Sequence, residues 1–151
     1  MTFAIVAGDL DDPRVRALLA HHVSSSPATG GCHHSLEVDE LKRPGIQFWA
    51  AWDEDRLLGV GALQRLAPDH GEIKSMHTSN DQRRRGVGSA MLQHIIDAAR
   101  AAGMRRLSLE TGSADYFVAA RALYQKHGFV VCEPFGKYAL DQSSVYMTRT
   151  L

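Results

Sequence analysis

The chain has 151 residues, of which 44% are hydrophobic and 23% charged, and we therefore expect one globular domain, residues 1–151, with a substantial core. Seventeen basic and seventeen acidic residues give a formal net charge of zero. A chain without excess charge lacks the overall electrostatic basis for binding nucleic acid or an acidic membrane, and neither is expected as a partner.

Hydrophobic periodicity and turn signals divide the chain into eleven elements. In chain order they are a strand over 3–7, helices beginning at Pro13 and over 36–42, strands over 46–52, 57–66 and 71–78, a helix over 86–102, a strand over 106–110, a helix over 116–127, and strands over 129–132 and 145–151. Strands joined by short turns, followed by strands that alternate with helices, predict a mixed sheet flanked by helices.

The polar loop before the long helix has a pattern suited to phosphate. Gly86 and Gly88 allow close approach to the main chain, and the first N–H groups of a helix lack intrahelical partners and favour an anion. A Walker A loop is absent, and a dinucleotide fingerprint would need glycine where the chain has Met91. The remaining pattern is Arg-x-x-Gly-x-Gly over residues 83–88.

This pattern resembles the acyl-CoA pyrophosphate loop of the GNAT superfamily of N-acetyltransferases, [Gln/Arg]-x-x-Gly-x-[Gly/Ala]. A second match is Leu123-Tyr124-Gln125-Lys126-His127-Gly128-Phe129, which is similar to the Leu-Tyr-x-x-x-Gly-Phe ending of a family helix. Residues 107–112 and 144–147 resemble small bacterial members whose substrates are poorly defined. The resemblance implies the α/β (α+β) GNAT fold, a mostly antiparallel mixed sheet with about four helices, and an acetyl-CoA-dependent N-acetyltransferase.

The resemblance also implies how acetyl-CoA is held. Main-chain N–H groups and arginine charge would bind the pyrophosphate, and the end of the preceding strand would pair with the pantetheine arm. The pyrophosphate residues are Arg83, Arg84, Arg85, Gly86, Val87, Gly88 and Ser89, and the pantetheine residues are Met76, His77 and Thr78. One departure from the family pattern is Phe117, which stands where the family commonly has an asparagine that contacts the cofactor arm. We therefore do not assign that contact to this chain.

Three residues are candidates for acid–base chemistry. Tyr124 matches the family tyrosine that protonates the leaving thiolate, although a core tyrosine would also account for it. Glu72 lies at the offset of a catalytic glutamate in the histone-acetyltransferase branch, and a solvated residue after a turn is the alternative. Glu110 is a rival base at a strand end, and an ordered water is a further option.

The acceptor amine has two further candidate contacts. Period-two alternation predicts Glu72, Lys74, Met76 and Thr78 on one strand face, so Lys74 would either pair with Glu72 or bind a substrate carboxylate. His34, or its neighbour at position 33, lies where the family builds its acceptor pocket. No histidine or cysteine spacing indicates a metal site.

Three functions remain open from the sequence. The first is acetylation of a small-molecule amine, the second is acetylation of a protein N-terminus or lysine, and the third is a non-enzymatic acyl-CoA sensor. We expect a cytoplasmic protein because there is no signal-peptide pattern and no run of ~18 apolar residues. Many members of the family dimerise, and a homodimer is compatible with the sequence.

Overall fold

The structure is a computed structural model that describes residues 3–25, 34–79 and 86–151, with side chains described in these ranges except at 21–25 and 34–36. Its centre is one seven-stranded sheet. The strands are β1 Ala4–Ala7, β2 Ile46–Asp53, β3 Arg56–Ala67, β4 His70–Thr78, β5 Arg106–Gly112, β6 Val130–Cys132 and β7 Ser144–Thr150. The helices are α1 Pro13–Ser25, α2 His34–Leu41, α3 Val87–Ala101 and α4 Val118–Lys126.

The sheet has the strand order β1-β2-β3-β4-β5-β7-β6. Only β4 and β5 pair in parallel, and the other neighbours are antiparallel. The crossover from β4 to β5 contains α3, as a parallel connection requires. The predicted order of elements and the mixed, mostly antiparallel sheet are therefore confirmed.

Helices cover the two faces of the sheet, which gives two apolar layers. In β2, Trp49 and Ala51 pack in the cluster that contains α3, whereas Phe48 and Ala50 pack in the cluster that contains α1 and α2. This is the alternation expected of a strand that is buried on both faces. None of the helices in the described ranges is long and apolar enough to cross a membrane.

The predicted helix over 116–127 is wrong at its start. Residues Asp115–Phe117 form a 3-10 turn, and the α-helix begins at Val118. The ring of Phe117 lies against Gly112, where an added Cβ would stand 2.0 Å from the ring. Arg121 donates hydrogen bonds to the carbonyl oxygens of Gly112, at 2.6 Å, and Ala114, at 3.1 Å. These contacts hold the chain close to the end of β5, and a tight turn fits there.

Candidate active site

β4 and β5 separate from each other toward their carboxyl ends. Their pairing ends at Ile73 and Leu109, although β4 continues to Thr78 and β5 to Gly112. Over these last residues, each strand stays paired on its other side, β4 with β3 and β5 with β7. Beyond Ile73 and Leu109, the edge of β4 and the edge of β5 that face each other have no strand partner within the described chain. Such edges can bind an extended ligand through main-chain hydrogen bonds.

A bulge at Ser75 reverses the side-chain alternation of β4. The φ angle of Ser75 is +56°, and the register against β3 shifts at this point because β4 has one extra residue. Met76 packs with the α3 cluster, whereas Lys74 reaches α2 on the opposite face. The predicted common face for Glu72, Lys74, Met76 and Thr78 is therefore wrong: a bulge moves the following residues to the other face.

The first turn of α3 lies beside the open end of this gap. Gly86 caps the helix with φ +78°, a conformation that side chains disfavour. A Cβ on Gly88 would lie 3.2 Å from Cδ2 of Leu123 and 3.8 Å from Cγ2 of Thr78. The helix therefore begins between the end of β4 and α4. Its first N–H groups lack intrahelical acceptors, and with the helix dipole they favour a bound anion.

The structure describes some of the other predicted phosphate-binding residues but not the arginines. Arg83, Arg84 and Arg85 lie outside the described residues. Val87 is fully buried, so its side chain belongs to the core and only its main chain can reach a ligand. The hydroxyl of Ser89 is hydrogen-bonded to Nε2 of His127 at 2.8 Å, which joins α3 to the end of α4.

Tyr124 is buried in the α3 face, with 7% of its surface exposed. Its ring meets Phe129 edge-on, with 6.1 Å between centroids. Burial raises the pKa of Tyr124 above the usual phenol value, and the charge of Glu110 adds to this. The hydroxyl therefore stays protonated near neutral pH and is available as a proton donor. The same packing also anchors α4 to the core, as the structural alternative expected.

Two carboxylates lie on the face opposite α3, beside the point where the strands separate. Glu72 is only 4% exposed, and its Oε2 accepts a hydrogen bond from the hydroxyl of Tyr138 at 2.6 Å. Glu110 lies at the solvent rim, and its Oε2 accepts a hydrogen bond from the hydroxyl of Ser144 at 2.6 Å. The two residues that the sequence predicted as alternative bases are therefore neighbours in one site.

The environment of Glu110 favours its protonated form. Although its side chain retains solvent access, desolvation by surrounding atoms raises the pKa of Glu110, and the charge of Glu72 raises it further. The hydrogen bond from Ser144 acts in the opposite direction. Like charges that share a site disfavour simultaneous ionisation, which is why the charge of Glu72 acts on the pKa of Glu110 in this direction.

Lys74 pairs with α2 and not with Glu72. Its ammonium forms a salt bridge with Glu40 and donates a hydrogen bond to Oε1 of Gln64 at 3.3 Å. The hydrogen bond from Lys74 holds the pKa of Glu40 below its ordinary value. The predicted ion pair between Lys74 and Glu72 is wrong because α2 crosses this face and supplies its own carboxylate. Only 14% of the Lys74 side chain is exposed.

Two segments border the carboxylate side of the gap. From one side, Glu37 of α2 accepts a hydrogen bond from the hydroxyl of Ser75 at 2.6 Å. From the other side, the segment 133–143 between β6 and β7 brings Tyr138 onto Glu72. His34 begins α2, but its side chain, like the whole of residue 33, lies outside what the structure describes. Its contact with the acceptor stays a prediction.

Sequence reasoning missed Tyr138. The residue lies in an irregular segment with neither helical nor strand periodicity, and its contact with Glu72 spans 66 positions of the chain. The available signal is a group of aromatic residues, Phe135, Tyr138 and Tyr146, which pack against one another. Such a group indicates packing, but it does not reveal which strand residue a hydroxyl reaches.

The arrangement suits a long ligand that combines a diphosphate, an amide-containing arm and a thioester. The α3 N-terminus can bind the diphosphate. The strand edges that lack a strand partner in the described part of the chain can bind the amides of the arm. The buried hydroxyl of Tyr124 and the pair Glu72 and Glu110 provide a donor and an acceptor of protons near the point where the gap closes. These are the groups that acyl transfer to an amine requires.

Comparisons with known proteins identify the family of this chain. The model of the acetyltransferase (GNAT) family matches residues 16–129. The chain is 44% identical to the uncharacterised N-acetyltransferase YedL of Escherichia coli (strain K12) over 153 residues, covering 99% of this chain and 95% of that protein. It is 46% identical to the uncharacterised N-acetyltransferase YsnE of Bacillus subtilis (strain 168) over 145 residues, covering 95% and 96%.

Solved structures share the fold over nearly the whole chain. A Bacillus subtilis acetyltransferase in complex with CoA superposes with a TM-score of 0.76 at 21% identity, covering 99% of each chain. A GNAT family acetyltransferase from Elizabethkingia anophelis with acetyl-CoA bound has a TM-score of 0.73 at 18% identity, covering 99% of this chain and 98% of that one.

Proposed function

This chain belongs to the GNAT family of acetyltransferases, and from that premise we propose that it transfers the acetyl group of acetyl-CoA directly to the primary amine of a small molecule. Acetyl-CoA is the co-substrate. The acceptor class is inferred from one observation: in the described chain, two segments border the carboxylate side of the gap and contact β4. There α2 accepts a hydrogen bond from Ser75 and forms a salt bridge with Lys74. The segment 133–143 donates a hydrogen bond to Glu72.

A protein substrate would need a groove open at both ends for an extended peptide. The described residues instead cross β4 from both sides with polar contacts, two of which are 2.6 Å long. A site that is bordered on two sides and lined by a few convergent polar groups is typical of a small ligand. This supports a compact amine over a protein N-terminus or lysine.

The chemistry we propose uses one base and one acid. Glu72 accepts a proton from the acceptor nitrogen, whose lone pair then attacks the thioester carbonyl carbon. The new C–N bond forms, the C–S bond breaks, and Tyr124 gives its hydroxyl proton to the leaving thiolate. The acceptor enters as an ammonium, so its nitrogen still carries one excess proton after the attack. This proton passes through solvent to the Tyr124 phenolate, and solvent removes the proton from Glu72, so both residues regain their starting forms.

The bulge in β4 suggests how the thioester carbonyl is polarised. Past Ser75, the edge of β4 that faces β5 has no strand partner among the described residues, so a main-chain N–H group near Met76 is placed to donate to a ligand oxygen. A donor directed at a carbonyl stabilises the negative charge that develops on it during attack. The same edge would bind the pantetheine amides.

Tyr124→Phe is expected to lower kcat by about 100-fold or more, because the leaving thiolate loses its proton donor. Acetyl-CoA affinity, measured by calorimetric titration, should stay close to that of the wild type. Tyr116→Phe removes a hydroxyl from an exposed position and serves as the matched control. Wild-type kcat in Tyr124→Phe would contradict the acid role. Binding without turnover in the wild type would favour the sensor function.

A further inference from the structure

Tyr138 contacts the proposed base but has no part in the proton transfers of the proposed reaction. It lies in the segment 133–143, which folds back across the face of the sheet that carries Glu72. Its hydroxyl donates to Oε2 of Glu72 at 2.6 Å. The partner is thus a buried strand carboxylate at the candidate acceptor site, and not another residue of the same segment.

The position of the Tyr138 ring is set by packing that does not involve Glu72. The ring centroids of Phe135 and Tyr146 lie 5.2 Å and 5.5 Å from that of Tyr138. The hydroxyl of Tyr146 donates to the carbonyl oxygen of Ala139 at 2.7 Å, which ties the segment to β7. A donor held by its own neighbours can orient a carboxylate without having to be ordered by it.

The hydroxyl of Tyr138 is also a hydrogen-bond donor that does not ionise near neutral pH. Burial raises the pKa of Tyr138 above the ordinary phenol value, and the hydrogen bond to Glu72 and the charges of Glu72, Glu110 and Glu40 raise it further. The hydroxyl therefore keeps its proton throughout the neutral range. It is therefore available as a hydrogen-bond donor to Oε2 of Glu72 over that whole range.

We propose that Tyr138 is a positioning residue for the acetyl transfer: its hydroxyl holds Oε2 of Glu72 and leaves Oε1 to accept the proton of the acceptor amine. This inference rests on the proposed function, in which Glu72 is the general base. Tyr138 gains and loses no atom in the reaction. It acts by fixing the rotamer of Glu72 through this hydrogen bond.

The test is a double-mutant cycle of Tyr138→Phe and Glu72→Gln, assayed with acetyl-CoA and a panel of primary amines. Tyr138→Phe is expected to lower kcat by about 10- to 100-fold, the usual range for a lost hydrogen bond to a charged group. Acetyl-CoA affinity and the melting temperature should change little. In a Glu72→Gln background, the same substitution should lower kcat by less than about threefold, because its effect passes through the missing base.

The control is Tyr146→Phe, which removes the hydrogen bond to Ala139 and leaves the one to Glu72. If Tyr138 only anchors the segment, both Tyr→Phe variants will lose similar activity, and the losses will persist unchanged with Glu72→Gln. That additive result, or a change confined to KM, would overturn the proposal while acetyl transfer itself stands. A wild type without turnover on every amine would overturn both this inference and the proposed function.

Discussion

Replacing Gly88 by glutamate is expected to weaken acetyl-CoA binding at least about 100-fold while the chain stays folded. The new carboxylate would stand at the first turn of α3, where the pyrophosphate is expected, and like charges at short range repel strongly. An acidic side chain near a helix N-terminus is favourable for the helix itself. The closest atom to the new Cβ is the flexible end of Leu123, at 3.2 Å.

Gly88 is a better position for this test than Gly86, whose φ of +78° would make any side chain strained. Gln93→Glu adds the same charge to an exposed position of α3 and is the matched control. Calorimetric titration with acetyl-CoA, together with thermal melting, measures both properties. Wild-type affinity in a folded Gly88→Glu variant would show that the pyrophosphate binds elsewhere.

The second large effect is expected for Glu72→Gln, with kcat lower by about 10²- to 10⁴-fold and acetyl-CoA affinity unchanged. Glutamine has nearly the shape of glutamate, and its carbonyl oxygen can still accept the hydrogen bond from Tyr138. The substitution therefore removes the base with little change in packing. Steady-state release of the CoA thiol gives kcat, and calorimetric titration gives the affinity.

Glu110→Gln separates the two candidate bases. Desolvation and the charge of Glu72 raise the pKa of Glu110, which does not by itself disqualify Glu110 as a base. Glu72 is preferred because it is buried and its carboxylate is held by Tyr138, whereas Glu110 lies at the solvent rim. We expect this variant to lose less than about tenfold in kcat. A large loss in Glu110→Gln with little loss in Glu72→Gln would reverse the assignment. Small losses in both would favour an ordered water as base.

The arrangement of elements was predictable because it depends on residue patterns that extend over many positions. Leu92, Ile95, Ile96 and Ala99 recur at helical spacing, and all four are fully buried on one face of α3. The start of α3 next to Gly86 was predictable for a similar reason, since glycine readily adopts the positive φ that the chain has there. These features follow from local chain geometry and hydrophobic burial.

The details of the site depend on single residues whose effect is decided by tertiary contacts. Ser75 adopts φ +56° within a strand, although serine is not a residue that signals a bulge. Lys74 pairs with Glu40, 34 positions earlier in the chain, so period-two reasoning about its neighbours on β4 could not find the partner. Tyr138 reaches Glu72 from an irregular segment. Sequence periodicity does not encode such long-range polar contacts.

Acetyl transfer to a small amine is tested most directly by incubating the wild-type protein with acetyl-CoA and a panel of primary amines and peptides, following CoA thiol release and acetylated product by mass spectrometry. We expect thiol and N-acetylated product in equal amounts, with higher kcat/KM for small amines than for peptides that carry a free N-terminus or lysine. Preference for peptides would contradict the small-molecule assignment. Saturable acetyl-CoA binding without product from any acceptor would contradict acetyl transfer itself.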